Sequence, residues 1–236
     1  MPAAFARWTV LAHGPLEPLS DNLWRVEGAL PDMALRRVMT LARRSDGGLL
    51  VHNAIALGEE AMSALEALGP PSVLLVPNGW HRLDAPAYQQ RYPGLRVYCP
   101  AGARKRVERV VAIDGSYDDV PPDAAVCARH VEGIGQREGV LEVRSAGGVT
   151  LVFNDLIFNQ PHLPGLFGLV YRALGSSGPP RVTRIARLLM VKDRRALRAD
   201  LERLAATPDL RRIVVSHIDV IDDRPAEVLR SIAAAL

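Results

Sequence analysis

The sequence predicts a mixed α/β fold with strands inside and helices outside, on three observations. Short apolar runs alternate with segments of helical spacing along most of the chain. One run, Ser72-Val73-Leu74-Leu75-Val76, is apolar throughout, as a strand buried on both faces requires, and a helix, a strand and a second helix follow it. The second half repeats this alternation without a break in composition, so the reading is one domain over 1–236 built of two βα layers facing each other.

The elements follow in order. Leu23-Trp24-Arg25-Val26 and Val38-Met39-Thr40-Leu41-Ala42 read as strands, and the Asp46-Gly47-Gly48 turn leads into a third, Leu49-Leu50-Val51-His52. Strands joined by such short turns form a sheet edge from sequence neighbours. Ala61, Leu65 and Leu68 are spaced as one helix face between Gly58 and Leu68, and Gly69-Pro70-Pro71 ends that helix. After the apolar strand come a helix at Ala85 to Arg91, a strand at Arg96 to Cys99 and a basic helix from Ala101 to about Val110. Strands are expected at Val126 to Val131, Val140 to Arg144 and Val149 to Phe153, the last two joined by a Gly147-Gly148 hairpin turn. An irregular excursion follows, centred on 159–180 and reaching 190, and is a candidate lid. Asp193 to Leu204 is an amphipathic helix, Arg212 to Val215 the last strand and Arg224 to Leu236 a closing helix.

Composition excludes several classes. At 48% hydrophobic and 23% charged residues the chain matches neither a disordered segment nor a coiled coil. The net charge is +3, and the basic pairs and triplets (Arg36-Arg37, Arg43-Arg44, Arg104-Lys105-Arg106, Arg194-Arg195) are scattered, so they read as solvated faces and no nucleic-acid partner is expected. Two cysteines without C-x-x-C spacing, Cys99 and Cys127, imply neither a disulfide framework nor a zinc knuckle and suit a reducing compartment. With no signal-like N-terminus and no apolar stretch of spanning length, the expectation is a soluble cytoplasmic protein with no membrane partner. No G-x-S-x-G elbow is present, and Gly133-x-Gly135 lacks the spacing of a phosphate loop.

Candidate ligands cluster at strand ends: His52-Asn53 after one strand, Pro77-Asn78-Gly79-Trp80-His81 after the next, Asn154-Asp155 after a third and Ser216-His217 after the last. In this order the segments resemble the metallo-β-lactamase superfamily over nearly the whole chain, from about Leu23 to Leu236. The resemblance implies a four-layer αββα sandwich with metal at one sheet edge. The family's H-x-H-x-D-H motif is degraded here: His81 stands as its last ligand, Trp80 where its aspartate is expected and Asn78 near a lost histidine. The G-H-T segment corresponds to Glu132-Gly133-Ile134-Gly135-Gln136, without its histidine, and His52-Asn53 replaces an Asp-Thr-Gly turn. Asp155 matches the bridging aspartate and His217 the final histidine. By resemblance His81, Asp155 and His217 all belong to one of the two metal positions, and the other has lost its exclusive ligands.

Two imidazoles and a carboxylate with open positions suit one Zn or Fe ion. Asp84 is the first candidate for a fourth ligand or general base, ahead of His162 and Asp219, and Asp84 and Asp155 are the expected catalytic carboxylates. Asn78, Trp80 and His52 are expected in the pocket, with His52 hydrogen-bonding toward the site. Structural readings stand beside these. His81 could cap the next helix, Asp155 could be an N-cap, and His217 could be satisfied by Asp219 or Asp222. His13 and His130 have no partners in sequence.

The function expected is a mononuclear metal-dependent hydrolase of unspecified small-molecule substrate. The alternative is a metal-free pseudoenzyme that binds a small ligand or protein partner through the old cleft, with Asn78, Trp80 and Arg82 as pocket residues. An iron redox role ranks last.

Overall fold

The computed structural model describes residues 3–162, 164–217 and 219–236. The chain opens with an antiparallel meander of β1 (Glu17–Ser20), β2 (Leu23–Leu30), β3 (Met33–Arg43) and β4 (Leu49–His52). From β4 the pairing turns parallel, through β5 (Pro71–Leu75) and β6 (Arg96–Cys99) to β7 (Gly115–Ser116). Parallel neighbours need crossovers, and α1 (Glu59–Leu68), α2 (Ala85–Arg91) and the short α3 (Arg104–Val107) lie in them. Next come β8 (Val126–His130), β9 (Gly139–Ser145) and β10 (Gly148–Val152), then β11 (Phe158–Gln160), α4 (Gly165–Ala173), β12 (Gly178–Arg181), α5 (Arg184–Leu189) and α6 (Arg194–Ala205). The chain closes with β13 (Leu210–Val214) and α7 (Pro225–Ala234). The first seven strands form one sheet in sequence order, a second has the order β13-β10-β9-β8, and β11 and β12 pair by themselves.

Strand alternation distributes the apolar side chains between layers. In β4 and β5, Leu49, Val51 and Leu74 pack outward with Met62 and Leu65 of α1 and Tyr88 of α2. Their neighbours Leu50, Val73 and Leu75 point the other way and meet Leu141, Val143, Val152 and Val214 of the second sheet. On that sheet's outer face Val140, Leu151 and Ile213 pack with Leu197 and Leu201 of α6 and Leu229 of α7. This is the αββα order that the resemblance implies. Both sheets are covered on both faces, and for that reason their strands read as apolar runs.

Some expectations are corrected. The excursion is not irregular: β11 and β12 pair antiparallel, and α4 and α5 are helices, α5 capped by the Thr183 hydroxyl accepting from the Ala186 N–H. The helix expected over 101–110 shrinks to a 3₁₀ turn at Ala101–Ala103 and the single turn of α3. Two arginines read as solvated are buried, because β3 alternates. Arg36 is half-buried, while Arg37 points inward to Asp84; Arg44, just past the strand, is buried beside Asp46 and Asp123. The break at Gly69 has a steric reason. A Cβ there would lie 2.3 Å from the Gly47 carbonyl oxygen, at a φ of 150°.

Candidate metal centre

Four strand ends and the edge of β3 converge on one group of side chains. His81 Nε2, Asp155 Oδ1 and His217 Nε2 stand together, with ligand atoms within 4.8 Å of one another. Asp155 Oδ1 is 2.9 Å from His81 Nε2 and 3.2 Å from His217 Nε2.

The partners of the other ring nitrogens decide what these contacts are. His217 Nδ1 lies 2.7 Å from the Arg36 carbonyl oxygen, which can only accept, so Nδ1 carries the proton. His81 Nδ1 lies 3.1 Å from Asn53 Oδ1, and the Asn53 amide is oriented because its Nδ2 donates to the Val38 carbonyl at 2.7 Å. The proton is again on Nδ1. Both Nε2 atoms are thereby turned onto the same carboxylate oxygen, where each either donates its own proton to Asp155 or offers a lone pair to a cation held between the three groups.

Asn78 shapes the loop that brings His81 here. Its Oδ1 accepts from the Trp80 and His81 backbone N–H groups, which turns its Nδ2 toward Asp155 Oδ2 at 2.8 Å and Glu138 Oε2 at 3.3 Å. Glu138, fully buried, accepts backbone N–H bonds from Asn154, Asp155 and Leu156 at 2.9, 2.9 and 3.0 Å and so clamps the loop after β10. Burial, with the Asp155 charge second, pushes Glu138 up to about 8, while those three N–H groups pull it down. Burial also opposes ionisation of Asp155. The charges and hydrogen bonds of His81 and His217 overcome it and hold that carboxyl well below the usual carboxylate range.

The cleft beside the group has a volume of about 230 Å³ and is largely apolar, with Leu35, Trp80, Phe158, Ile185, Leu189 and Met190 among its walls. The Phe158 ring lies 4.5 Å from the His217 ring, centroid to centroid. Trp80 is backed by the Arg106 guanidinium, 5.3 Å from its ring centre.

The structure thus brings His81, Asp155 and His217 together, with Trp80 and Arg82 on the cleft wall. Asp84 stays out of the group and is corrected as fourth ligand and as base. It occupies the N-cap position of α2 without capping it, and its Oδ2 pairs instead with Arg37 Nη1 at 2.5 Å in full burial. Asn78 and His52 are not pocket residues. Asn78 is fully buried behind Asp155, and His52 shares the inter-sheet face of Leu50, where burial, with the His81 charge second, pushes its pKa down to about 3.

His162 hydrogen-bonds Ser177, and the Asp219 backbone bonds Asn159, so neither joins the group. Asp155 precedes no helix and caps none, and His217 is held by Arg36 and Asp155 rather than by Asp219 or Asp222. His13 accepts the Gly58 N–H and His130 the Ala101 N–H. Two residues the sequence did not single out for the site belong to its frame, Glu138 and Arg36. Nothing in sequence marks Glu138, a carboxylate just ahead of a strand, and Arg36 contributes only its carbonyl.

No protein-family model matches the sequence, and no curated protein matches it. Solved structures match its fold. The metallo-β-lactamase from Erythrobacter litoralis with β-mercaptoethanol in its active site is 12% identical, with 94% of this chain and 96% of that one covered at a TM-score of 0.60. The DIM-1 metallo-β-lactamase exposed to ceftazidime is 10% identical, with 96% and 99% covered at 0.63. The mono-zinc form of the FIM-1 metallo-β-lactamase from Pseudomonas aeruginosa is 11% identical, with 97% and 98% covered at 0.60.

Proposed function

We propose that on this metallo-β-lactamase fold His81, Asp155 and His217 hold a single divalent metal ion, and that the cleft beside them is the active site of a mononuclear metal-dependent hydrolase. The observation that carries the reading is the convergence of both Nε2 atoms on one carboxylate oxygen, with both Nδ1 atoms held by acceptors. Two neutral imidazoles and an ionised carboxylate with open positions form a donor set for Zn²⁺ or Fe²⁺. A metal ion there supplies Lewis-acid polarisation of a carbonyl or phosphoryl oxygen.

The chain's own groups supply the rest. The Arg36 carbonyl and Asn53 Oδ1 orient the rings, Asn78 and Glu138 hold the Asp155 loop, and Trp80 and Phe158 keep bulk water from the site's apolar side. The low identity of the solved relatives leaves the substrate open, and the apolar walls favour one with a hydrophobic part.

The test is elemental analysis of protein purified without chelator or affinity-tag metal, beside His81→Ala. About one equivalent of zinc, iron or manganese, absent from the variant while its circular dichroism is unchanged, is expected for a three-ligand site. No metal in the parent protein after incubation with each ion would overturn the reading and leave the cleft as a binding site for an apolar ligand.

A further inference from the structure

Nine large apolar side chains are strongly exposed among the described residues, and seven of them lie between Leu166 and Leu189, on α4, its C-cap and α5. Leu188 is 80% exposed, Leu166 77% and Leu169 64%. On α4, Leu166, Leu169 and Val170 follow i, i+3, i+4 spacing, as do Ile185, Leu188 and Leu189 on α5, so each helix turns one apolar stripe to solvent. The two helices are tied together: the Arg184 backbone N–H donates to the Leu174 carbonyl, which joins the start of α5 to the end of α4.

The charges around them are of one sign. From Leu156 to Lys192 the sequence holds no Asp or Glu, against Arg172, Arg181, Arg184, Arg187 and Lys192. Among the described residues none of these five has a carboxylate partner. Arg184 and Arg187 donate only to the Ala173 and Ala235 carbonyls, which position the guanidinium groups without neutralising them.

We propose that the face formed by α4 and α5 docks on the surface of an anionic lipid bilayer. Exposed leucines flanked by unpaired arginines match an acyl boundary lying beneath acidic headgroups. A second copy of the chain fits less well, since a two-fold contact would bring these cations against themselves. No described helix is long and apolar enough to cross a membrane, but docking in the interface plane needs none. The expectation of no membrane partner rests on the lack of a spanning segment, which such docking does not require. Docking does not depend on metal at His81, although Ile185 and Leu189 belong both to this face and to the cleft wall.

Co-sedimentation of the full chain with phosphatidylcholine vesicles, with and without a phosphatidylserine fraction, tests the proposal. Binding is expected only to the anionic vesicles, weakening as salt rises, and falling about tenfold or more in Leu169→Glu/Leu188→Glu. If that variant loses its native circular dichroism, Arg172→Glu/Lys192→Glu takes its place, with the same loss expected. No binding to anionic vesicles, equal binding to neutral ones, or unchanged binding in a folded variant would overturn the proposal. So would a parent dimer that the leucine substitutions dissociate, because a second copy would then cover this face.

Discussion

Arg37 and Asp84 carry opposite charges into a place where neither meets water. Burial raises the Asp84 pKa, and the Arg37 charge and hydrogen bond pull it back. Arg37→Met would leave a buried carboxylate unpaired, at a cost of about 3–5 kcal/mol near pH 8. The sign of the pH dependence follows from the raised value. As pH falls, Asp84 takes up a proton in the folded state before it does so in the unfolded one, and the variant regains stability. Its deficit against the parent in urea unfolding should therefore be smaller at pH 5 than at pH 8. An equal deficit at both would mean that Asp84 is not the group left unpaired.

At the scale of elements, the caps show where local sequence suffices. Asp193 Oδ1 accepts from the Arg195 and Ala196 N–H groups at 2.8 and 3.1 Å and starts α6, whose Leu197, Leu201 and Leu204 face the core. Asp193→Ala should cost about 1 kcal/mol, lowering the melting midpoint by about 2–4 °C, and Asp193→Ser should recover most of it. A midpoint unchanged in the alanine variant would show that solvent replaces the cap. The two carboxylates at other helix and strand boundaries behave differently. Asp84 sits where a cap belongs and pairs with Arg37, and Asp155 turns to the histidines. A capping pattern in sequence names a position for an oxygen, and competing partners from distant strands decide where it points.

At the scale of the molecule, the two sheets meet at the candidate metal centre. The Val38 N–H of β3 donates to the Ser216 carbonyl, and the Arg36 carbonyl accepts from His217, so the first sheet holds a candidate ligand carried by the second. Opening the sandwich would disassemble the group. Cys99 reports on such opening: it is fully buried and burial pushes its thiol up to about 12, whereas Cys127 is exposed. A thiol-reactive disulfide reagent should find one cysteine in the native protein at pH 8 and two after denaturation. Two fast-reacting thiols in the native protein would show that the helical layer over β6 opens locally.

Periodicity and turn chemistry by themselves determined the long strands of both sheets and the helices α1, α2, α6 and α7 in their order, because each depends on near neighbours in the chain. They did not determine the short strands β1, β7, β11 and β12 or the helices α4 and α5. Ligand types at four strand ends determined which residues could meet. Only the tertiary structure decided that His81, Asp155 and His217 do meet while Asp84 does not, since Asp84 is taken by Arg37 of β3, far from it in sequence. It also decided that Glu138 and the Arg36 carbonyl would brace the group, and that α4 and α5 would leave their leucines uncovered. Hydrogen-bond partners and burial are set by residues far apart in sequence, and no local pattern encodes them.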